Sequence, residues 1–163
     1  MIKYRDYQQS IIDKSVKIFN TSSFVYLAME VRTGKTLTSL GIADRLGVRS
    51  VLFITKKKAI SSIEEDHNLL KPSYDLTVIN YESVHKLPKN KYGMIICDEA
   101  HSMGAFPKPS KRAKQVKELI QYSSPYVILL SGTPTPESFS QMYHQLYGIP
   151  NNPFFKCKNF YAF

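Results

Sequence analysis

The sequence has few of the features that would make a protein secreted, membrane-spanning or cross-linked. Its 163 residues hold two cysteines, Cys97 and Cys157, with neither a metal-ligand spacing nor a disulfide framework. That makes a reducing cytoplasm the expected compartment. Cys97 lies inside an apolar run and reads as a small core residue. No apolar run approaches the ~20 residues that cross a bilayer. The opening Met1-Ile2-Lys3-Tyr4-Arg5-Asp6 lacks the apolar stretch of a secretory signal. Internal repeats and low-complexity segments are absent. Acidic residues are scarce as well: 13 Asp and Glu stand against 22 Lys and Arg, a net charge of +9. Such a balance points to a polyanionic partner, nucleic acid first, although solubility alone is a simpler use for it. The length fits one domain over residues 1–163, large enough to bury a core without staples.

Against those absences, one stretch organises the rest. Phe24-Val25-Tyr26-Leu27-Ala28 is β-branched, aromatic and apolar, the composition of a buried strand. Gly34-Lys35-Thr36 follows shortly, and Leu37, Leu40, Ile42, Ala43 and Leu46 then recur at helical steps. Strand, Gly-Lys-Thr, helix is the context of a phosphate-binding loop. Free N–H groups and the dipole at the helix N-terminus favour an anion. Lys35 would reach the β- and γ-phosphates of a nucleotide, and Thr36 would offer its hydroxyl to Mg²⁺. The full pattern also wants a glycine where Met29 stands, so an ordinary strand-to-helix turn fits these residues equally well.

The remaining chain alternates strand-like and helix-like stretches. Asp6 is placed to cap a helix running to about Asn20, with Ile11, Ile12, Val16 and Phe19 as its apolar stripe. Gln8 at its start can donate and accept together, as reading an adenine edge requires, or can be a surface residue. Ser50 to Thr55 reads as a strand, and Lys56-Lys57-Lys58 opens the helix after it. Those cations oppose the helix dipole, which points to phosphate contact or to a solvated cluster. Leu76 to Ile79 is strand-like, and Tyr81 just beyond it is placed either to touch nucleic acid or to pack. Tyr92 to Cys97 is another strand, ending in Asp98-Glu99-Ala100-His101. This tetrapeptide arises by chance in roughly one chain of this length in a thousand at average composition. Two carboxylates closing a buried strand are costly without a use. Asp98 can hold Mg²⁺, and Glu99 can orient and deprotonate an attacking water. After a basic loop from Gly104 to Arg112 come a helix near Ala113 to Tyr122 and a strand from Pro125 to Leu130. The turn Ser131-Gly132-Thr133-Pro134 then precedes a helix from Glu137 to about Tyr147 and an aromatic, basic tail. Alternation of this kind predicts an α/β fold, a parallel sheet with helices on both faces and ligands at the strands' C-terminal ends.

In that order the motifs resemble those of the first, RecA-like P-loop domain of superfamily 2 helicases and translocases, in the Swi/Snf-like, DEAH-box branch. Tyr4 to Gln8 is similar to the adenine-reading Q-type motif, Leu27 to Thr36 to motif I, and Val51 to Ser61 to motif Ia. Val78 to Glu82 resembles motif Ib, Asp98 to His101 motif II, and Ser131 to Pro134 motif III. Virus-borne members commonly carry Arg-Thr-Gly-Lys-Thr, as residues 32–36 do here, so the resemblance also raises a phage origin. It implies ATP contacts from Arg5, Gln8, Arg32, Thr33, Gly34, Lys35 and Thr36. Mg²⁺ would be held by Thr36 and Asp98, and catalysis would fall to Glu99 and Lys35. His101, Ser131 and Thr133 would couple hydrolysis to motion, and Lys56, Lys57, Lys58, Tyr81 and Thr133 would meet DNA or RNA. Arg32 and Thr33 depart from the Gly-x of many relatives and leave Gly34 as the flexible residue of the loop. The family's second RecA-like domain carries the arginine fingers, and its motifs are not found in these 163 residues. The expected function is therefore the ATP-binding half of a helicase or translocase, weakly active by itself. Two alternatives stay open: a P-loop ATPase that does not act on nucleic acid, and a non-catalytic interaction or inhibitory module.

Overall fold

A computed structural model of the chain describes residues 4–28, 34–88, 90–98, 111–123 and 125–131. Five strands form one sheet: β1 (Phe24–Ala28), β2 (Ser50–Thr55), β3 (Asp75–Asn80), β4 (Met94–Cys97) and β5 (Tyr126–Ser131). Their order across the sheet is β1-β5-β4-β2-β3, and every pairing is parallel. Parallel neighbours need crossovers, and four helices are described: α1 (Asp6–Phe19), α2 (Lys35–Leu46), α3 (Ile60–Leu70) and α4 (Lys111–Ser123).

The period-2 alternation of the strands sorts their side chains into two cores. Val25, Leu27, Val51, Phe53, Met94, Ile96, Ile128 and Leu130 lie on one face, packed with Ile12 of α1, Leu40 of α2 and Ile63 of α3. Leu52, Ile54, Ile95, Cys97, Val127 and Leu129 lie on the other, against Val116 and Ile120 of α4 and against Tyr81 and Val84. Val51, Leu52, Phe53 and Ile54 are fully buried. Each such side chain contributes about 1.5–3 kcal/mol of apolar burial, an upper estimate because the unfolded chain is already partly compact. Central strands buried on both faces explain why β2, β4 and β5 read as continuous apolar runs.

Parallel pairing brings all five C-terminal strand ends to one edge. Ala28 is opposite Ser131, Ile54 opposite Cys97, and Thr55 opposite Asn80. The expected α/β architecture is therefore observed. Three local expectations need correction. Asp6 does not cap α1; Arg5 is the N-cap residue, and its backbone N–H donates to the Gln8 side chain at 2.9 Å. Lys56 to Lys58 do not open α3 directly, because a 3-10 turn over Lys57–Ala59 intervenes and α3 starts at Ile60. The fourth strand starts at Met94 rather than Tyr92. The expected helix from Glu137 to Tyr147 and the tail after it lie outside the described residues.

Candidate nucleotide and nucleic-acid site

Gly34 fixes how α2 enters the carboxyl edge of the sheet. It is the N-cap residue, with a left-handed backbone at φ 76°, which a glycine adopts without steric cost. Its carbonyl accepts the Thr38 hydroxyl at 2.8 Å and the Gln8 Nε2 at 3.3 Å. A Cβ at this position would clash with Gln8 Nε2. Gln8 is only 5% exposed, and Arg5 N–H and Gly34 C=O engage both ends of its amide. The glutamine read from sequence as an adenine contact thus also ties the start of α1 to the start of α2.

Lys35, the first residue of α2, reaches across the edge to the residue that follows β4. Its Nζ lies 3.2 Å from Asp98 Oδ1, with the two side chains 12% and 8% exposed. Desolvating such a pair largely offsets its Coulombic attraction, so stability alone is a poor reason for its presence. Asp98 is held from three further directions. Its backbone N–H donates to Ile54 C=O at 2.8 Å. Its Oδ2 accepts the Thr55 hydroxyl at 2.9 Å, and its own carbonyl accepts the Tyr81 hydroxyl. Cys97, beside it, is fully buried, and burial together with the Asp98 charge pushes its thiol far above the ordinary range. It is therefore a core residue and not a nucleophile.

Gln8, Gly34, Lys35 and Asp98 therefore come together, while Thr36 stands half-buried on the first turn of α2. Arg5 is exposed at the start of α1. Lys56, Lys57 and Lys58 are exposed directly beyond Thr55, as a phosphate contact requires. Tyr81 is different: it is 2% exposed, sits in the core on the α4 face, and donates its hydroxyl to the main chain. Its expected contact with nucleic acid is corrected, since no part of the ring is presented to a ligand. Arg32, Thr33, Glu99, His101 and Thr133 lie outside the described residues. Ser131 is placed by its backbone alone, at the end of β5 opposite Ala28. Thr55 was missed in the sequence. Its signal was a polar residue closing an otherwise apolar strand at the ligand edge.

The oxygen donors suit a hard cation. Asp98 carries a carboxylate at the strand edge and Thr36 a hydroxyl on the first turn of α2, and among the described residues no three His, Cys, Asp or Glu gather into a metal cage. These two residue types would suit Mg²⁺, a hard cation that takes oxygen ligands.

With this geometry in place, comparison with known proteins identifies the family. Residues 43–162 match the SNF2-related domain. The chain belongs to the SNF2-related family. That match spans the Thr55 to Lys58 segment and Asp98. A second match, to the Type III restriction enzyme res subunit, covers residues 1–74 and so includes Gln8 and Gly34 to Thr36. Two solved structures share the fold. The Pyrococcus furiosus Hef helicase domain aligns at TM-score 0.66 and 16% identity, over 88% of this chain and 37% of that one. A nuclease-deletion mutant of the Type ISP restriction-modification enzyme LlaGI, solved with a DNA substrate mimic, aligns at TM-score 0.59 and 17% identity. That alignment covers 82% of this chain and 18% of the other. The SNF2-related chain thus spans well under half the length of either. A comparison with curated protein sequences returns no significant match. Family and fold together make this a RecA-like α/β domain of the SNF2-related family, with the fold of a helicase domain.

Proposed function

We propose that this SNF2-related domain binds Mg²⁺·ATP at the carboxyl edge of its sheet and hydrolyses it to drive movement on DNA when a second RecA-like domain closes over the site. The observation that carries the reading is the Lys35–Asp98 pair, which joins the phosphate-loop helix to the acidic end of β4 within 3.2 Å. A stand-alone structural role does not require a largely buried lysine paired with a buried aspartate at the N-terminus of one helix and the end of one strand. The basic composition and the three exposed lysines beside the site favour a polyanion as the second ligand.

In this reading Gln8 recognises adenine, with Arg5 near it, and Gly34, Lys35 and Thr36 hold the phosphates together with Arg32 and Thr33. Lys35 exchanges its carboxylate partner for phosphate oxygens. Thr36 and Asp98 would hold Mg²⁺, which would supply positive charge to stabilise the transferring phosphoryl group. Glu99 orients a water for in-line attack on the γ-phosphorus and takes its proton, and ADP leaves with its oxygen opposite the incoming one. His101, Ser131 and Thr133 sense the γ-phosphate and pass its loss to the nucleic-acid side. Lys56 to Lys58 and Thr133 contact the DNA backbone. An arginine supplied by the second domain would add about 10³–10⁵ in rate, so the isolated chain turns over slowly.

The test is ATP hydrolysis by this chain with and without DNA, beside Lys35→Ala, repeated after adding a second RecA-like domain. DNA-stimulated activity that needs both Lys35 and the added domain supports the motor reading. Lys35-dependent activity indifferent to DNA and to the partner would replace it with an ATPase that does not act on nucleic acid. Absence of nucleotide binding altogether would leave an interaction module.

A further inference from the structure

On the α4 face of the sheet, a groove of about 150 Å³ opens between α4 and the segment from Val84 to Pro88. Buried Val84 and half-buried Leu87 and Leu119 form its apolar floor, with exposed Pro88 and Tyr122 beside them. Tyr122 keeps 40% of its surface in solvent. Lys91 Nζ stands over the Tyr122 ring, 5.9 Å from its centre, within the range of a cation–π contact. Ser123 fixes this pairing. Its hydroxyl donates to Asn90 C=O at 3.2 Å and accepts the Tyr92 N–H at 3.3 Å, tying the end of α4 to both neighbours of Lys91. Tyr122 and Lys91 stand just before β5 and β4, at the amino edge of the parallel sheet, whereas Lys35 and Asp98 meet at its carboxyl edge.

The segments that form the groove are basic. Residues 81–91 and 111–123 hold seven Lys and Arg against two Glu, a net +5 of the chain's +9. His85, Lys86 and Lys91 are exposed, and Glu118 is the one carboxylate among the described residues lining the groove. An apolar cavity of about 150 Å³ accepts one benzene-sized group. There is thus room for a single aromatic or aliphatic side chain, and the cations beside it favour carboxylates next to that side chain. We propose that this groove docks an acidic segment of a partner protein, seating one apolar side chain on Leu87, Leu119 and Tyr122 and flanking carboxylates on Lys86 and Lys91. Two occupants from this chain lack the complementary charge. A second copy brings the same net +9, and residues 154–163 contain Lys156 and Lys158 but no Asp or Glu. A phosphate backbone would satisfy the lysines and leave the apolar floor uncovered. The inference does not depend on nucleotide at the carboxyl edge.

The measurement is fluorescence anisotropy of labelled acidic octapeptides, each with a central Phe or Leu, titrated with the full chain. At least one should bind, and replacing its central residue by Ala should weaken binding about tenfold. Tyr122→Ala should weaken it by a similar factor, and Lys91→Glu by about fivefold. Lys14→Glu makes the same charge change at an exposed position of α1, across the sheet, and should alter binding by less than about twofold. A thermal melt of each variant separates loss of fold from loss of docking. Lys91→Glu changes an exposed side chain and so reports on docking even if Tyr122→Ala is destabilised. Absence of binding by every peptide, binding that survives Ala at the centre, or equal weakening by Lys14→Glu and Lys91→Glu would overturn the proposal. So would a DNA duplex that binds in place of the peptides and is lost in Tyr122→Ala and Lys91→Glu. A dimer seen in sedimentation and lost in the same two variants would assign the groove to a second copy and overturn it as well.

Discussion

The two ends of the candidate site are built on different plans. Asp98 is clamped: β2 holds its N–H and one carboxylate oxygen, α2 holds the other oxygen, and Tyr81 holds its carbonyl. Gly34 is hinged: its backbone is left-handed, and its carbonyl meets one hydroxyl and one longer contact from Gln8 at 3.3 Å. A metal site gains from a ligand fixed before the metal arrives. A phosphate loop gains from a backbone free of Cβ atoms that lets N–H groups approach the anion. The difference matches the two chemistries proposed for these ends, and it can be broken at either end.

Removing the clamp's aromatic support should have the largest effect. Tyr81→Ala empties a core position and should cost about 3–5 kcal/mol in chemical denaturation. Tyr81→Phe keeps the packing, loses one buried hydrogen bond and should cost about 1 kcal/mol. Tyr81→Phe should also leave DNA affinity unchanged, which a direct nucleic-acid contact would not.

Next comes Lys35→Met, which leaves the Asp98 carboxylate without its cation in a nearly buried setting. The expected loss is about 3 kcal/mol, at the low end for a broken buried pair because Thr55 still donates to the carboxylate. An unchanged denaturation midpoint would mean that the ion pair is not part of the clamp.

At the hinge, Gly34→Ala should cost about 1–3 kcal/mol from the left-handed backbone and the approach to Gln8 Nε2. Combining it with Gln8→Ala should recover only the part due to that approach, so the two changes should not add in a double-mutant cycle. Strict additivity would show that Gln8 does not press on the loop.

The smallest stability effect is expected for Lys56→Ala, Lys57→Ala and Lys58→Ala. These exposed side chains should each change stability by less than about 0.5 kcal/mol. Each lysine that contacts phosphate should nevertheless reduce the salt dependence of DNA binding by about 0.9 in the log–log slope. A slope unchanged in the triple variant would move the DNA path away from the end of β2.

Much of this arrangement was legible in the sequence because it is local. Phe24 to Ala28 and Ser50 to Thr55 are β-branched apolar runs long enough to be strands, and both form as expected. Gly34-Lys35-Thr36 and Asp98 stood out as candidates because a few consecutive residues carry their own chemistry. The contacts that tie them together were not legible, because their partners lie far apart in the chain. Thr55 and Asp98 are 43 positions apart, Gln8 and Gly34 are 26 apart, and Tyr81 and Asp98 are 17 apart. An aromatic residue just past a strand end reads the same whether it faces solvent or core, and so Tyr81 was open to both uses.

The amino-acid sequence by itself determined which segments are strands and helices, that the sheet is parallel, and which end of it carries polar residues. Those follow from side-chain period, β-branching and turn chemistry, all of which act over a few residues. Only the tertiary structure decided the strand order β1-β5-β4-β2-β3, and with it that β2 is the neighbour of β4. That adjacency brings Thr55 within 2.9 Å of Asp98, and the helix that follows β1 brings Lys35 within 3.2 Å of it. The reason is that strand order is set by how two apolar faces are covered by helices from distant parts of the chain. No window of local sequence contains that information.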